Sequence, residues 1–246
     1  MTTDSRVLIL ALPSAVILAG LFWHSMRALP RRRAVAFWVA VLLYGILRGL
    51  GVRWVTASIG ASFPYEIRNP LLSFAGVSAQ EVAGWAVVAY LAWWVGAQRP
   101  LLFLQAAGGA VFLGAISWAI EAAAIAARWW HWTVPTASRV FINVPAIGIV
   151  DWFFVGLDFL LPFVAITGSR LRWRYLTLLF FPVHFAGHLL PGLWLHAVHW
   201  LLVLIAAWLA LRMTVEDRPF ASAGRWIPAA GFSIIEIDDF IEGLKA

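Results

Sequence analysis

The chain contains no cysteine and few charged residues. The absence of cysteine among its 246 residues excludes disulfides, thiol nucleophiles, iron–sulfur clusters and thiolate zinc sites. Asp, Glu, Lys and Arg make up 12% of the chain, about half of the roughly 25% typical of a soluble domain. Because apolar residues reach 63% and the mean hydropathy is +0.85, the composition excludes a soluble enzyme, a secreted module and a disordered chain.

Several functional motifs are also missing. The chain has no glycine-rich nucleotide-binding loop and no HExxH zinc-protease motif. It has no mid-span lysine for a retinal Schiff base, because its single lysine is Lys245. The net charge of +6 does not indicate nucleic-acid binding, since the arginines lie between hydrophobic runs, as membrane-orientation signals do. We therefore expect no nucleic-acid partner.

Long apolar segments predict an all-α bundle of seven membrane-spanning helices, at about 20 residues per span. The predicted spans are about Val7–Met26, Ala34–Gly51, Glu81–Ala97, Leu101–Ala127, Val144–Thr167, Tyr175–Leu190 and Leu193–Met213. A turn at 191–192, Pro-Gly, separates the last two, and the sixth is the weakest because it is short. The segment Val52–Gln80 mixes aromatic residues with prolines and is expected to lie along the interface as broken helix.

The positions of the arginines predict the orientation of the bundle. With the N-terminus outside, nine arginines flank the inner ends of the spans and five flank the outer ends, which follows the positive-inside rule. We therefore expect a multi-pass protein of the cell inner membrane, with a transmembrane domain over 1–213 and a cytoplasmic tail over 214–246.

Ionisable residues inside the spans cluster toward the outer side. A rise of 1.5 Å per residue places Glu121 and Asp151 roughly 9 to 10 Å below the outer boundary, and Arg48 lies near the same side. Asp158 is about 10 Å deeper than Asp151 but on the same helix face. Ionisable groups in hydrocarbon normally face partners. Glu121, Asp151 and Arg48 are therefore the candidate catalytic residues, and Arg48 is alternatively the counter-ion of either carboxylate.

Four histidines form two pairs near this depth. His184 and His188 are four residues apart and His196 and His199 are three apart, so each pair lies on one helix face. The turn at 191–192 makes the two helices antiparallel and lets the pairs face each other. All four are candidate ligands of a divalent metal or haem iron, or members of a proton relay. The alternative is hydrogen bonding to a neighbouring helix, and the identity of any cofactor stays open.

Most of the 16 tryptophans lie near predicted span ends, as in an interfacial aromatic belt. Trp118 and Trp152 instead flank the buried carboxylates on their own helices, and Trp130 follows the fourth span. Together with Asp158, these three tryptophans are the candidate ligand-binding residues for a flat or polyene ligand. Core packing explains the rings equally well.

One stretch has the features of a known family. From Glu121 to Trp152 it carries a helix with a glutamate, an aromatic run at 129–132, a Val-Pro step at 144–145 and a helix with a tryptophan. It resembles the membrane proteins of carotenoid biosynthesis that hydrate acyclic carotenoids, the bisanhydrobacterioruberin hydratase type, over 32 of 246 residues. The resemblance implies a polytopic bundle that adds water to an isoprenoid. Where that family has a glycine- and proline-rich segment, this chain has Ile-Ala-Ala-Arg at 125–128.

Three functional classes fit these features. The first is a membrane protein that binds an isoprenoid or polyene lipid and modifies it, with Glu121 or Asp151 protonating a double bond before water adds. The second is a non-catalytic pigment-binding or assembly subunit of a larger membrane complex, with other subunits as partners and the histidines as pigment or haem ligands. The third is a transporter of protons or small solutes, although the internal repeats typical of transporters are not visible.

Overall fold

The computed structural model describes residues 3–60, 65–67, 70, 72–99, 101–133, 139–141, 144–169, 172–190 and 193–216. Helices account for 82% of these residues, which confirms the mostly helical fold. The α-helices are α1 Thr3–Ala28, α2 Arg31–Ser58, α3 Ala79–Ala97, α4 Leu102–Ala126, α5 Ala146–Gly168, α6 Phe180–Gly187 and α7 Leu193–Glu216. A 3-10 helix, Arg172–Leu179, leads directly into α6. The predicted tail after residue 216 lies outside the described residues.

Prolines and one serine define several helix starts. Pro30 precedes α2 and Pro145 precedes α5, positions at which the missing backbone N–H of proline costs nothing. Ser78 caps α3, because its Oγ accepts the backbone N–H of Glu81 at 3.0 Å. The spacing Ser-x-x-Glu is that of a capping box, and it places the Glu81 side chain at the very beginning of α3.

Three helices among the described residues are long and apolar enough to cross a membrane: Arg31–Ser58, Leu102–Ala126 and Val150–Gly168. They agree with the predicted membrane character of the chain. The predicted sixth span is a 3-10 helix followed by an α-helix of eight residues. That α-helix is about 12 Å long, and the 3-10 helix before it adds about 16 Å. Together they approach the roughly 30 Å of the hydrocarbon core.

Helices α3, α4 and α5 pack antiparallel through small residues. A Cβ placed on Gly96 of α3 would lie 2.0 Å from the carbonyl oxygen of Gln105 on α4. A Cβ on Gly109 of α4 would lie 2.7 Å from the carbonyl oxygen of Ala92 on α3. Such close backbone approach is typical of small residues at membrane helix interfaces. Helix α5 is central, since 72% of its apolar stretch is buried, compared with 33% in α2 and α4.

The described residues outside the helices include six short strands: β1 Tyr65–Ile67, β2 Ser73–Phe74, β3 Val77–Ser78, β4 Trp130–Trp132, β5 Arg139–Phe141 and β6 Val144–Pro145. They form three antiparallel pairs, β1 with β4, β2 with β3 and β5 with β6. The prediction of broken helix over Val52–Gln80 is therefore wrong. Helix α2 continues to Ser58, and Ala75 and Gly76 have positive φ values of 48° and 79°, the conformation of a tight hairpin turn between two strands.

The antiparallel order gives the bundle two ends of different composition. At the aromatic end α1, α3 and α5 finish, and its core consists of buried rings: Phe37, Trp38, Tyr90, Trp93 and Phe163. At the polar end α2 and α4 finish and α3 and α5 begin. The strands β1 and β4 and nearly all of the ionisable candidates lie at this polar end.

Candidate functional site

A cavity of about 820 Å³ lies at the polar end. Residues of α1, α2 and α3 form its mostly apolar walls, among them Leu18, Val52 and Val88. The strands β1 and β4, the end of α4 and the beginning of α5 complete the lining. The ionisable residues of the lining include Arg48, Glu81, Glu121, Asp151 and His188. The cavity is therefore amphipathic, with hydrocarbon walls and a patch of charged groups.

Glu121, on α4, is hydrogen-bonded to three tryptophans. Trp130 and Trp132 each donate their indole Nε1–H to Oε2 at 3.0 Å. Trp152 of α5 donates its indole Nε1–H to Oε1 at 2.9 Å. The glutamate is only 3% exposed, and an indole nitrogen is a donor only. Three donors from two elements therefore hold one carboxyl group in place in the cavity lining.

The chain after α4 is folded so that two indoles reach this carboxyl group. Arg128 has a left-handed conformation, φ 58°, which ends α4 and reverses the chain. Alternate residues of a strand share a face, so Trp130 and Trp132 of β4 both turn toward Glu121. Gly148 of α5 leaves room for one ring, since a Cβ there would lie 2.6 Å from Trp132. Trp132 was not among the predicted ligand-binding residues, and its two-residue spacing from Trp130 is the signal that indicates it.

Arg48, on α2, is the buried cation of the site and is 4% exposed. Its Nη2 lies 3.3 Å from Oδ2 of Asp151, and its Nη1 lies 3.9 Å from Oε1 of Glu81. Its guanidinium carbon lies 4.4 Å from the centre of the Trp85 ring, within the range of a cation–π contact. The sequence analysis named Glu121 and Asp151 as possible counter-ions of Arg48. The structure pairs Arg48 with Asp151, and Glu81 is a second carboxylate near it.

Glu81 joins this network through two further partners and was missed in the sequence analysis. Its Oε2 lies 3.1 Å from Nη2 of Arg53, and its Oε1 accepts the Tyr65 hydroxyl at 2.7 Å. Burial raises the pKa of the Tyr65 phenol above its usual value of 10.0, with Glu81 adding to the rise and Arg48 opposing it. Tyr65 therefore donates this bond throughout the neutral range. The Ser-x-x-Glu pattern that starts at Ser78 is typical of a helix start, and it could have indicated that Glu81 lies at the polar end of α3.

Three histidines converge on one point beside Asp151. One ring nitrogen of each of His184, His188 and His199 lies within 4.8 Å of the other two. Nε2 of His184 and Nε2 of His188 are 3.3 Å apart, and Oδ1 of Asp151 lies 3.8 Å and 3.9 Å from them. Nδ1 of His184 lies 2.6 Å from Oδ2 of Asp158, a distance at which the ring N–H donates to the carboxylate. Imidazoles and a carboxylate in this arrangement are suitable metal ligands.

Two of the remaining predicted residues, Trp118 and Asp158, do not line the cavity. Trp118 is 44% exposed and is not among the described lining residues. Three residues turn a helix by about 300°, so Trp118 lies about 60° around α4 from Glu121. Asp158 is also outside the lining and contacts His184 instead. His196 belongs to α7, but its side chain lies outside what the structure describes.

Comparison with known proteins gives no family for this chain. No family model, no curated protein and no solved structure matches it. The resemblance to carotenoid hydratases therefore stays a prediction, and the function is inferred from the cavity and its residues.

Proposed function

We propose that the chain is a multi-pass protein of the cell inner membrane that binds an isoprenoid or polyene lipid and adds water to one of its double bonds. The observation that carries the proposal is the carboxyl group of Glu121, held by three indole N–H groups in the lining of an amphipathic cavity. The seven spans, the external N-terminus and the cytoplasmic tail over 214–246 belong to the same proposal.

The size and lining of the cavity support a lipid ligand. Its volume of about 820 Å³ lies within the roughly 300 to 1,000 Å³ of small-molecule pockets. Leu18 of α1, Val52 of α2 and Val88 of α3 present hydrocarbon to the ligand. The charged patch with Glu121 occupies only part of the lining, so one part of a long ligand meets it while the rest packs against apolar walls.

Glu121 is better suited than Asp151 to donate a proton. Asp151 is already engaged by a cation, since its Oδ2 lies 3.3 Å from the guanidinium of Arg48. The partners of Glu121 are neutral indoles. Oε1 accepts only one of the three hydrogen bonds. A protonated Oε1 still has a lone pair for that bond, so all three bonds remain when Glu121 carries a proton. The same three donors stabilise the carboxylate that forms when the proton leaves, as transfer to a weakly basic double bond requires.

The reaction adds one water and involves no oxidation or reduction. The proton of Glu121 bonds to the less substituted carbon of a trisubstituted double bond, whose π electrons form the new C–H bond. The tertiary cation left behind lies beside the carboxylate, whose negative charge stabilises it. A water oxygen bonds to the cation and loses a proton to the carboxylate, which gives a tertiary alcohol and restores Glu121.

The test is turnover by the purified protein. In mild detergent, the protein is incubated with an acyclic polyene that ends in a trisubstituted double bond, in water enriched in oxygen-18. We expect a product heavier by one water, with the label in a tertiary hydroxyl group; unchanged polyenes across a series of chain lengths would contradict the proposal. The absorption spectrum of the purified protein tests the second class, because a Soret or far-red band instead of a polyene band favours a pigment-binding subunit.

Replacing Glu121 by Gln removes the acidic proton and keeps the side-chain size. Since general acid catalysis contributes about 10² to 10⁴ in rate, we expect kcat to fall at least about 100-fold. One indole bond is lost, so thermal unfolding must show that the variant remains folded. The matched control is Trp118→Phe on the exposed side of the same helix, which should retain activity. Full turnover by the folded Glu121→Gln variant would exclude the acid role.

The absence of native cysteine makes the proposed orientation easy to test. Ser73, next to the polar end, and Gln98, at the aromatic end, are both exposed, and each is replaced singly by cysteine. With the N-terminus outside, a membrane-impermeant maleimide added to cells whose outer layers are removed labels Ser73→Cys and spares Gln98→Cys. Permeabilised cells should show labelling of both variants. The reverse pattern in intact cells would overturn the orientation.

A further inference from the structure

We propose that His184, His188 and His199, together with Asp151, bind one divalent first-row transition-metal ion at the polar end of the bundle. The site joins three elements, since Asp151 belongs to α5, His199 to α7, and His184 and His188 to α6 and the turn after it. The proposal rests on the positions of these side chains and is independent of the proposed hydration reaction.

The distances fit ligands that share one ion. A tetrahedral ion with metal–nitrogen bonds of about 2.1 Å holds two nitrogens about 3.4 Å apart, and the Nε2 atoms of His184 and His188 are 3.3 Å apart. The nearest atom of His199 completes a set within 4.8 Å. Oδ1 of Asp151 lies at similar distances from both Nε2 atoms, 3.8 Å and 3.9 Å. A small inward movement of the imidazole of His199 and of the carboxylate brings all four into bonding distance.

Residues behind the histidines orient them as in metal centres. His184 directs Nδ1 to Asp158 at 2.6 Å and therefore presents Nε2 to the common point. A carboxylate that receives the second N–H of a metal-binding histidine sets its tautomer and raises its basicity. The Phe154 ring stacks on His199 with centroids 4.5 Å apart and lies 5.3 Å from His184. Asp158 is 2% exposed and does not line the cavity, so holding His184 is the role that its position supports.

The ligand set favours a particular class of ion. Three imidazoles and one carboxylate suit Zn²⁺, Fe²⁺, Co²⁺ or Mn²⁺, whereas Mg²⁺ and Ca²⁺ prefer oxygen ligands. Haem or chlorophyll ligation by this cluster is disfavoured, because a planar macrocycle occupies the space around its metal and accepts only axial ligands. Three nitrogens within 4.8 Å of one another leave no room for such a ring.

A hydrogen-bonded chain without metal is the rival explanation. It would run from Asp158 through His184 to His188, using the contacts of 2.6 Å and 3.3 Å. This chain needs only two imidazoles. It leaves unexplained why His199 and Asp151 lie beside the same two Nε2 atoms. Asp151 and His188 also line the cavity, so an ion held here lies at the cavity wall, within reach of a ligand.

The experiment measures the metal content of the full-length protein. The protein is purified in detergent through a tag without histidine and in buffer without chelator, and its metals are counted by mass spectrometry. We expect about one equivalent of a transition metal per chain. His188→Ala and His199→Ala should each lower this content at least about fivefold. His24→Ala, at the aromatic end, is the matched control and should retain the full equivalent.

A second measurement does not depend on whether the histidine variants fold. Wild-type protein is stripped with a chelator, its thermal unfolding is followed, and Zn²⁺ or Co²⁺ is added back. We expect the stripped protein to unfold at a lower temperature, the ion to restore it, and Co²⁺ to give the visible absorption of a four-coordinate centre. Less than about a tenth of an equivalent, with no response to added ions, would overturn the proposal in favour of the hydrogen-bonded chain. Glu121→Gln should keep the metal, so failure of the hydration reaction and failure of the metal site are distinguishable.

Discussion

The aromatic end and the polar end of the bundle use the same side chain, tryptophan, in opposite ways. At the aromatic end, Trp93 is 1% exposed, and its indole Nε1 has no hydrogen-bond partner in the part of the chain that the structure describes. It packs between Phe37 and Phe163, with ring centroids 5.3 Å and 6.0 Å away. At the polar end, three indole N–H groups all donate to Glu121. Trp93 therefore only fills space at the aromatic end, whereas the three tryptophans at the polar end position an ionisable group.

The glycines of α3 show the same contrast in packing. Near the aromatic end, Gly96 touches the backbone of α4 so closely that a Cβ would lie 2.0 Å from the carbonyl oxygen of Gln105. Toward the polar end, a Cβ on Gly84 would have no atom within 4 Å, and this residue lines the cavity. Along α3, close contact with α4 near the aromatic end therefore changes to open space at the cavity, where the charged groups lie.

The largest expected loss of stability comes from adding a side chain at Gly96, where α3 and α4 are in closest contact. Gly96→Ala forces α3 and α4 apart, because the clash is with backbone and not with a flexible side chain. Overpacking typically costs about 1 to 3 kcal/mol, and we expect the upper end of that range. The measurement is thermal unfolding in detergent, supported by the yield of folded protein.

Gly84→Ala is the matched control on the same helix. The substitution meets no neighbour, and alanine is favoured over glycine in a helix by about 1 kcal/mol. We therefore expect unchanged or slightly raised stability. Equal destabilisation by Gly84→Ala and Gly96→Ala would contradict the difference in packing between the two ends.

Depth along a helix was predictable from the sequence, whereas rotation about its axis was not. Each residue adds 1.5 Å, so counting from the predicted span ends placed Glu121, Asp151 and His184 at one side, and the structure brings them to one end. The same counting included Trp118, which is exposed, because the choice of face depends on how α4 packs against its neighbours. Helical content and membrane character needed only composition and periodicity.

Contacts supplied by the connecting segments could not be predicted. Glu81 looked like the first residue of a span, and its partners Arg53 and Tyr65 come from the end of α2 and from β1. Both lie in the stretch predicted as broken helix, and strand pairing between distant segments depends on the assembled bundle. The indole of Trp132 was missed for the same reason, since β4 takes its position by pairing with β1.

A smaller effect is expected when a tryptophan that binds Glu121 is compared with one that only packs in the core. Trp132→Phe removes one donor from Glu121, and a hydrogen bond to a charged group is worth about 1.5 to 3 kcal/mol. We expect kcat for hydration to fall by about tenfold or more, measured with the oxygen-18 assay. Trp93→Phe removes a ring with no hydrogen bond and should lower thermal stability without changing the activity of the folded fraction. Loss of activity in both variants to the same degree would contradict the division of roles.

The smallest effect concerns Tyr65, whose hydroxyl binds Glu81 at 2.7 Å. Tyr65→Phe should cost about 1 kcal/mol at neutral pH. Because burial raises the pKa of Tyr65 above 10.0, the folded protein keeps a proton that the unfolded chain loses near pH 10. The contribution of this group to stability is therefore complete below about pH 10 and is lost as the pH rises toward the pKa of Tyr65 in the folded protein.

Thermal unfolding is measured at about pH 8, 9.5 and 11, on both sides of the ordinary phenol pKa of about 10. The difference in unfolding temperature between wild type and Tyr65→Phe should shrink as the pH rises. A gap that stays constant to the highest pH would mean that Tyr65 is solvated and that its pKa is not raised by burial.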